Sequence, residues 1–130
     1  MNSLSHAMRV SASGMHAERF RMDIISSNIA NANTVGSEKN PGYARRIVEL
    51  AGSSNGVRVT GVRTDPAAPR KEHEPSNPLA DGEGNVYYSN VDPIKEMVNM
   101  LSAGRAYEAN IAAFNSTKGM IRNAMQIGKI

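Results

Sequence analysis

The chain has no cysteine and no tryptophan, and only two phenylalanines and four tyrosines among 130 residues. Without cysteine it can form neither a disulfide nor a thiolate metal site, and the redox compartment stays open because such an absence fits either side of a membrane. So few aromatics leave little bulk for a rigid interior. The opening stretch MNSLSHAMRVSASGMHAERF holds no unbroken apolar run of the length a signal peptide or membrane span requires, and none follows. We therefore expect no direct membrane insertion, and export by some route other than a cleaved secretory signal if the protein works outside the cytoplasm. Charge of one sign is also scarce: 15 Lys and Arg against 12 Asp and Glu give a net charge of +3, enough for weak attraction to anionic surfaces and too little to name nucleic acid as a partner.

What is present is unevenly distributed. All six prolines lie between Pro41 and Pro93, most of the glycines lie between Gly36 and Gly84, and all eight methionines lie outside that middle. Methionine fills irregular gaps and suits adaptable surfaces. The composition divides the chain into a terminal helical segment at 1–35, a loop-rich middle with short strands at 36–91, and a second helical segment at 92–130.

In the first segment Met8, Met15, Met22 and Ile29 recur every seven residues, with Leu4, Ile25 and Ala32 on the adjoining row. Ser11 and Glu18 interrupt that second row, and Gly14 costs about 1 kcal/mol relative to alanine, so the helix is marginal alone. Gly36 is the expected terminator, with Asn33 or Thr34 leading out of the last turn. The last segment opens on NVDPIKEM, where Asp92 reads as the N-cap and Pro93 as the first helical residue. From there Met97, Met100, Gly104, Tyr107, Ile111, Phe114, Lys118, Ile121, Met125 and Gly128 alternate by three and four. A helix from Pro93 to about Ile127 runs roughly 50 Å, against a radius of gyration near 14 Å for a compact chain of this length, roughly. The expected fold is mainly α and elongated: two long terminal helices packed as a coiled-coil-like pair, with a small loop-rich or β middle. The pair leaves apolar surface over, which points to neighbouring subunits.

In the middle, VRVTGVR alternates Val57 and Val59 with Arg58 and Thr60, the period of a half-exposed strand, while YARRIVEL and NVYYS are weaker strand candidates. PAAPRKEHEPSNPLA is proline-rich, charged and aperiodic, and reads as a flexible loop or extended linker.

Few residues suggest chemistry. His6 and His16 are ten apart on one helix and diverge by about 80° at 100° per residue, and His73 sits in the charged loop, so no zinc spacing exists. DGEGNVYYSNVD spaces Asp81, Glu83, Asn85, Ser89 and Asp92 somewhat like a calcium loop, yet Val86 stands where glycine is needed; a turn into a short strand fits better. Arg45, Arg46, Arg58, Arg63, Arg70 and Lys71 could form a basic face, which leaves open a soluble binding module for nucleic acid or another anionic surface; no aromatic interleaving supports it. No phosphate loop, nucleophile elbow or carboxylate pair is present, and no enzyme activity, cofactor or metal is expected. Asn28, Asn31 and Asn33 remain to be explained, because asparagine weakens helices. Their amides could fix helix register or cap the following loop, and both uses stay open.

SASGMHAERFRMDIISSNIANANTVG resembles the N-terminal motif of the bacterial flagellar axial proteins of rod and hook, carried here by Ala12, Ser13, Gly14, Ala17, Asp23, Asn28, Ile29, Ala30, Asn31, Asn33 and Thr34. The C-terminal stretch is similar to that of the proximal-rod members, through Asn90, Val91, Pro93, Glu96, Met97, Ala106, Tyr107, Glu108, Ala109, Asn110, Asn115 and Lys118. Members often carry GGPYRR after the Asn motif, where this chain has PGYARR. The resemblance implies a non-catalytic structural subunit, packed by its terminal helices with copies of itself and other rod subunits into a hollow, torque-transmitting rod across the periplasm. It also implies export through the flagellar type III apparatus, a role in motility, termini that order on assembly, and no nucleic acid partner. The subunit-interface residues expected from seams and motif together are Met8, Met15, Met22, Ile25, Asn28, Ile29, Asn31, Asn33, Met97, Met100, Tyr107, Ile111, Phe114, Ile121 and Met125.

Overall fold

The computed structural model describes residues 2–128; Met1, Lys129 and Ile130, which the expected terminal segments include, lie outside the described residues. The order is helix α1 (Asn2–Ala30), strands β1 (Val35–Gly36), β2 (Arg46–Ser53), β3 (Gly56–Thr64), β4 (Arg70–His73) and β5 (Asn85–Tyr88), then helix α2 (Pro93–Ile127). The chain is thus mainly α, with a loop-rich middle of short strands. At the start of α2, Asp92 Oδ1 accepts the backbone N–H of Ile94 at 3.0 Å and of Lys95 at 3.4 Å. That satisfies two donors the helix cannot use itself.

Two differences from the sequence reading have local causes. Helix α1 stops at Ala30, before Gly36, which is already in β1. A turn ends it: Asn31 donates its side-chain amide back to Ser27 O at 2.8 Å, and Thr34 N–H closes on Asn31 O at 3.2 Å. The proline-rich segment read as a linker contains β4, which sits at the edge of a three-stranded sheet ordered β1-β5-β4. Its prolines flank the strand, where no ladder donor is lost. Both pairings are antiparallel, with Val35 opposite Tyr88 on one side of β5 and Glu72 opposite Val86 on the other.

The chain divides into two compact units. The first comprises the described residues of Met1–Met22, Glu49–Gly61 and Leu101–Ile130. Here the turn joining the two-stranded β2-β3 sheet rests on α1: Val57 N–H donates to Ser13 Oγ at 3.0 Å, and His6 Nε2 lies 2.8 Å from Ser54 O. Gly56, at φ 118°, is buried there, and any side chain would strike Ser13. Val57 and Val59 are half-buried and Arg58 and Thr60 exposed, the alternation read from sequence. The helices approach closely through small residues. Ser11, Gly14, Ala17, Ala103 and Thr117 are buried, and a Cβ added at Gly14 would lie 2.7 Å from the Asn110 amide.

The second unit, Asp23–Val48 with Val62–Met100, holds the three-stranded sheet. Ile25, Ala32, Val86, Tyr87 and Val91 are its buried apolar residues. Beside them lie buried Asn28, Asn85, Ser89 and Glu96. A core with this many polar groups holds only if each finds a partner.

Candidate functional site

Asn28 is 1% exposed, on the last full turns of α1. Its Nδ2 donates to Arg46 O at 2.9 Å and to Glu96 Oε2 at 3.1 Å. Its Oδ1 accepts from Tyr43 Oη–H at 2.7 Å and from Arg46 N–H at 3.0 Å. All four hydrogen-bonding positions of the amide are used within its own unit. One side chain thereby joins a helix end, the backbone entering β2 and the first turns of α2.

Glu96, also 1% exposed, is the second node. Arg45 Nε donates to its Oε1 at 2.6 Å, Asn99 Nδ2 reaches the same oxygen at 3.3 Å, and Arg45 Nη1 bridges onward to Asp65 Oδ2 at 3.2 Å. Desolvation acts to lower the Arg45 pKa, but the hydrogen bond and charge of Glu96, then those of Asp65, outweigh it and raise the value. The Asp65 carboxyl is held below its ordinary value chiefly by the backbone N–H of Ala67, with burial opposing and Arg45 assisting. Asn90 completes the arrangement: its Oδ1 accepts Arg45 N–H at 2.7 Å and its Nδ2 donates to Asp65 O and Ala67 O. Among the described residues no buried side-chain polar atom lacks a partner. A buried ion pair is weak evidence of net stability, but removing one partner strands a charge.

Arg70 on β4 performs a related task at the end of α1. Its Nη2 donates to Ala32 O at 2.9 Å and to Asn33 Oδ1 at 3.2 Å, its Nε donates to Ser89 O at 3.1 Å, and its guanidinium stacks 5.5 Å from the Tyr88 ring. The three asparagines thus have three uses. Asn28 is the buried bridge, Asn31 folds back on its own helix, and exposed Asn33 meets Arg70.

Of the other expected interface residues, Ile25 is buried; Met8, Met15, Met22, Ile29, Met100, Tyr107, Ile111, Phe114 and Ile121 are half-buried; Met97 and Met125 are exposed. The rows turned furthest inward are polar or small. On α2 buried Glu96, Ala103 and Thr117 and half-buried Asn110 follow one another every seven residues, one position before the Met97, Gly104, Ile111 and Lys118 row. Other large apolar side chains stay exposed on α2: Ile94, Val98 and Leu101 near its start, Met120 and Ile127 near its end. Tyr43 and Asp65 were not singled out by sequence, Arg45 was read only as part of a basic face, and Asn90 only through the C-terminal resemblance. The one signal for them was a charged Glu96 on a row that is otherwise small.

No group of three or more His, Asp or Glu among the described residues could hold a metal, and no helix among them is long and apolar enough to cross a membrane. What the arrangement can do is hold two helices in register while leaving apolar side chains outward.

Comparison with known proteins bears on that arrangement. Residues 8–36 match the family described as flagella basal body rod protein, and residues 83–127 the C-terminal family of flagellar basal body rod FlgEFG proteins. The chain is 38% identical to the flagellar basal-body rod protein FlgC of Bacillus subtilis (strain 168), covering 95% of this chain and 97% of that one. It is 36% identical to FlgC of Yersinia enterocolitica over 98% of this chain and 99% of that one. With FlgC of Aquifex aeolicus (strain VF5) identity is 35% over 99% of this chain and 100% of that one. Asn28 and Glu96 fall within the two matched stretches, whereas Arg45 and Asp65 lie in the span between them.

Proposed function

The chain belongs to the FlgC family of flagellar basal-body rod proteins, a structural and not an enzymatic family, and on that premise we propose how it serves the rod. It is a proximal-rod subunit whose terminal segments, 1–35 and 92–130, pack with copies of itself and other rod subunits into a hollow helical shaft that transmits torque across the periplasm. It reaches that place through the flagellar type III export apparatus without a cleaved signal, and motility depends on it.

The observation that carries this reading is the apolar surface of α2. Ile94 is 75% exposed and Val98 60%, values a lone soluble chain gains nothing by keeping. The expected interface set divides accordingly. Met97 and Met125 contact neighbours directly, joined by Ile94, Val98, Leu101 and Met120. The half-buried methionines, Asn31, Ile29, Tyr107, Ile111, Phe114 and Ile121 contribute from the flanks. Asn28 and Ile25 act by holding the helix ends that present this surface. Asn33 reaches neighbours at the exposed end of α1.

The test is complementation of a strain lacking its own copy of the gene. Met97→Asp with Val98→Asp changes only exposed positions, so the protein accumulates and keeps its melting temperature, yet swimming in soft agar is lost and basal bodies lack rods. Swimming at the wild-type rate with both substitutions overturns the reading.

A further inference from the structure

The exposed large apolar residues of the helices among the described residues all lie on α2, and they fall near its two ends: Ile94, Met97, Val98 and Leu101, then Met120, Met125 and Ile127. None lies between Ser102 and Gly119. The two ends differ in what surrounds the apolar groups. Beside the first is a groove of about 510 Å³ lined by Ile94 and Val98 and by Asp65, Asp92 and the buried Glu96 against Arg45 and Lys95. Beside the second, Lys118, Ile121, Arg122 and Met125 line a shallower depression of about 360 Å³. The charge around them differs likewise. In the sequence of the first unit the only acidic residues are Glu18, Glu49 and Glu108, against Arg9, Arg19, Arg21, Arg105, Lys118 and Arg122 among the basic ones; the second unit is net acidic.

We propose that the groove beside the start of α2 receives the last turns of α2 from a second copy of this chain, with Met125 against Ile94 and Val98 and with Lys118 and Arg122 turned toward Asp92 and Asp65. The inference rests on the rod-subunit reading and names the partner of its exposed face. Apolar groups cover one another, and the basic end meets a groove in a net acidic unit where carboxylates outnumber cations three to two, which favours this pairing over either end with itself. The pairing joins two different patches, so each copy keeps an unused patch of each kind and the contact propagates. A self-complementary face would close a pair and stop.

The absence of cysteine makes the test direct. Val98→Cys and Met125→Cys, both at exposed positions, are expressed singly and together in a strain without the native gene; isolated basal bodies are oxidised and run without reductant. Covalent dimer is expected when both variants are present, at least tenfold above either alone, and Arg122→Glu in the second variant lowers it several-fold. No dimer in basal bodies that contain both variants overturns the contact and leaves the rod-subunit reading standing, as does dimer of Val98→Cys alone at equal yield. Basal bodies that contain neither the variants nor the wild-type chain overturn both.

Discussion

The two units use the same pair of helices and hold together by different physics. In the first, Ser11, Gly14 and Ala17 on α1 and Ala103 and Thr117 on α2 are buried, and a methyl group at Gly14 would force the Asn110 side chain to shift. In the second, the elements are joined by directed bonds through Asn28, Arg45 and Glu96. Close approach is sensitive to added volume, because dense interiors do not yield. A polar network is sensitive to subtraction, because each deletion strands its partners. Opposite kinds of substitution should therefore damage the two units, and each unit should tolerate what harms the other better than it tolerates its own.

The largest effect is expected from Arg45→Ala. It leaves the Glu96 carboxylate buried without its cation, at about 3–5 kcal/mol for a broken buried pair, and urea denaturation of the purified chain measures the loss. Asn28→Ala comes next. It removes the partner of the buried Glu96 Oε2, at about 1–3 kcal/mol, while the Tyr43 and Arg46 groups it also bonded are only part-buried and can turn to water. In the first unit Gly14→Val adds volume against Asn110 and should destabilise by about 1–3 kcal/mol. Asn110→Ala clears that space, so its combination with Gly14→Val should recover part of the loss, whereas Asn110→Ala should do nothing for Arg45→Ala. A rescue of the second unit by this change would break the comparison.

The smallest effect is that of acid, and it falls on the second unit. Asp65 is held low chiefly by Ala67 N–H, Glu74 by the Asn77 amide and then Tyr88, and Asp81 by Asn85 N–H. A carboxyl whose folded value is depressed contributes stability above its unfolded value, about 4, and that contribution is lost as pH falls through the folded value. Stability should be level near neutral pH and decline below about pH 4, first in the second unit. Amide exchange at Asn85 and Ser89 should rise before exchange at Val57.

The helices were legible because their signals are local. Asp92 and Pro93 mark the start of α2 within two residues, and Val57 to Thr60 state their strand by alternation. The register was not. Searching for apolar residues selects Met97 and Ile111, whereas the row turned inward is Glu96, Ala103, Asn110 and Thr117, because helices in close approach need small or bonded side chains. Strand β4 was hidden among prolines that turn out to flank it. The Asn28 site was half legible: three asparagines near a helix end announced a need for hydrogen bonds, but the partners lie at Tyr43, Arg46 and Glu96, and no local pattern links positions so far apart.

The claim on which the rest depends is that Asn28 is spent within its own chain, and a double-mutant cycle tests it. Asn28→Ala, Tyr43→Phe and the pair are unfolded in urea as purified protein. The account predicts a coupling of roughly 0.5–3 kcal/mol, the range for residues in direct contact. Losses that add within about 0.3 kcal/mol, as for distant independent sites, would contradict it.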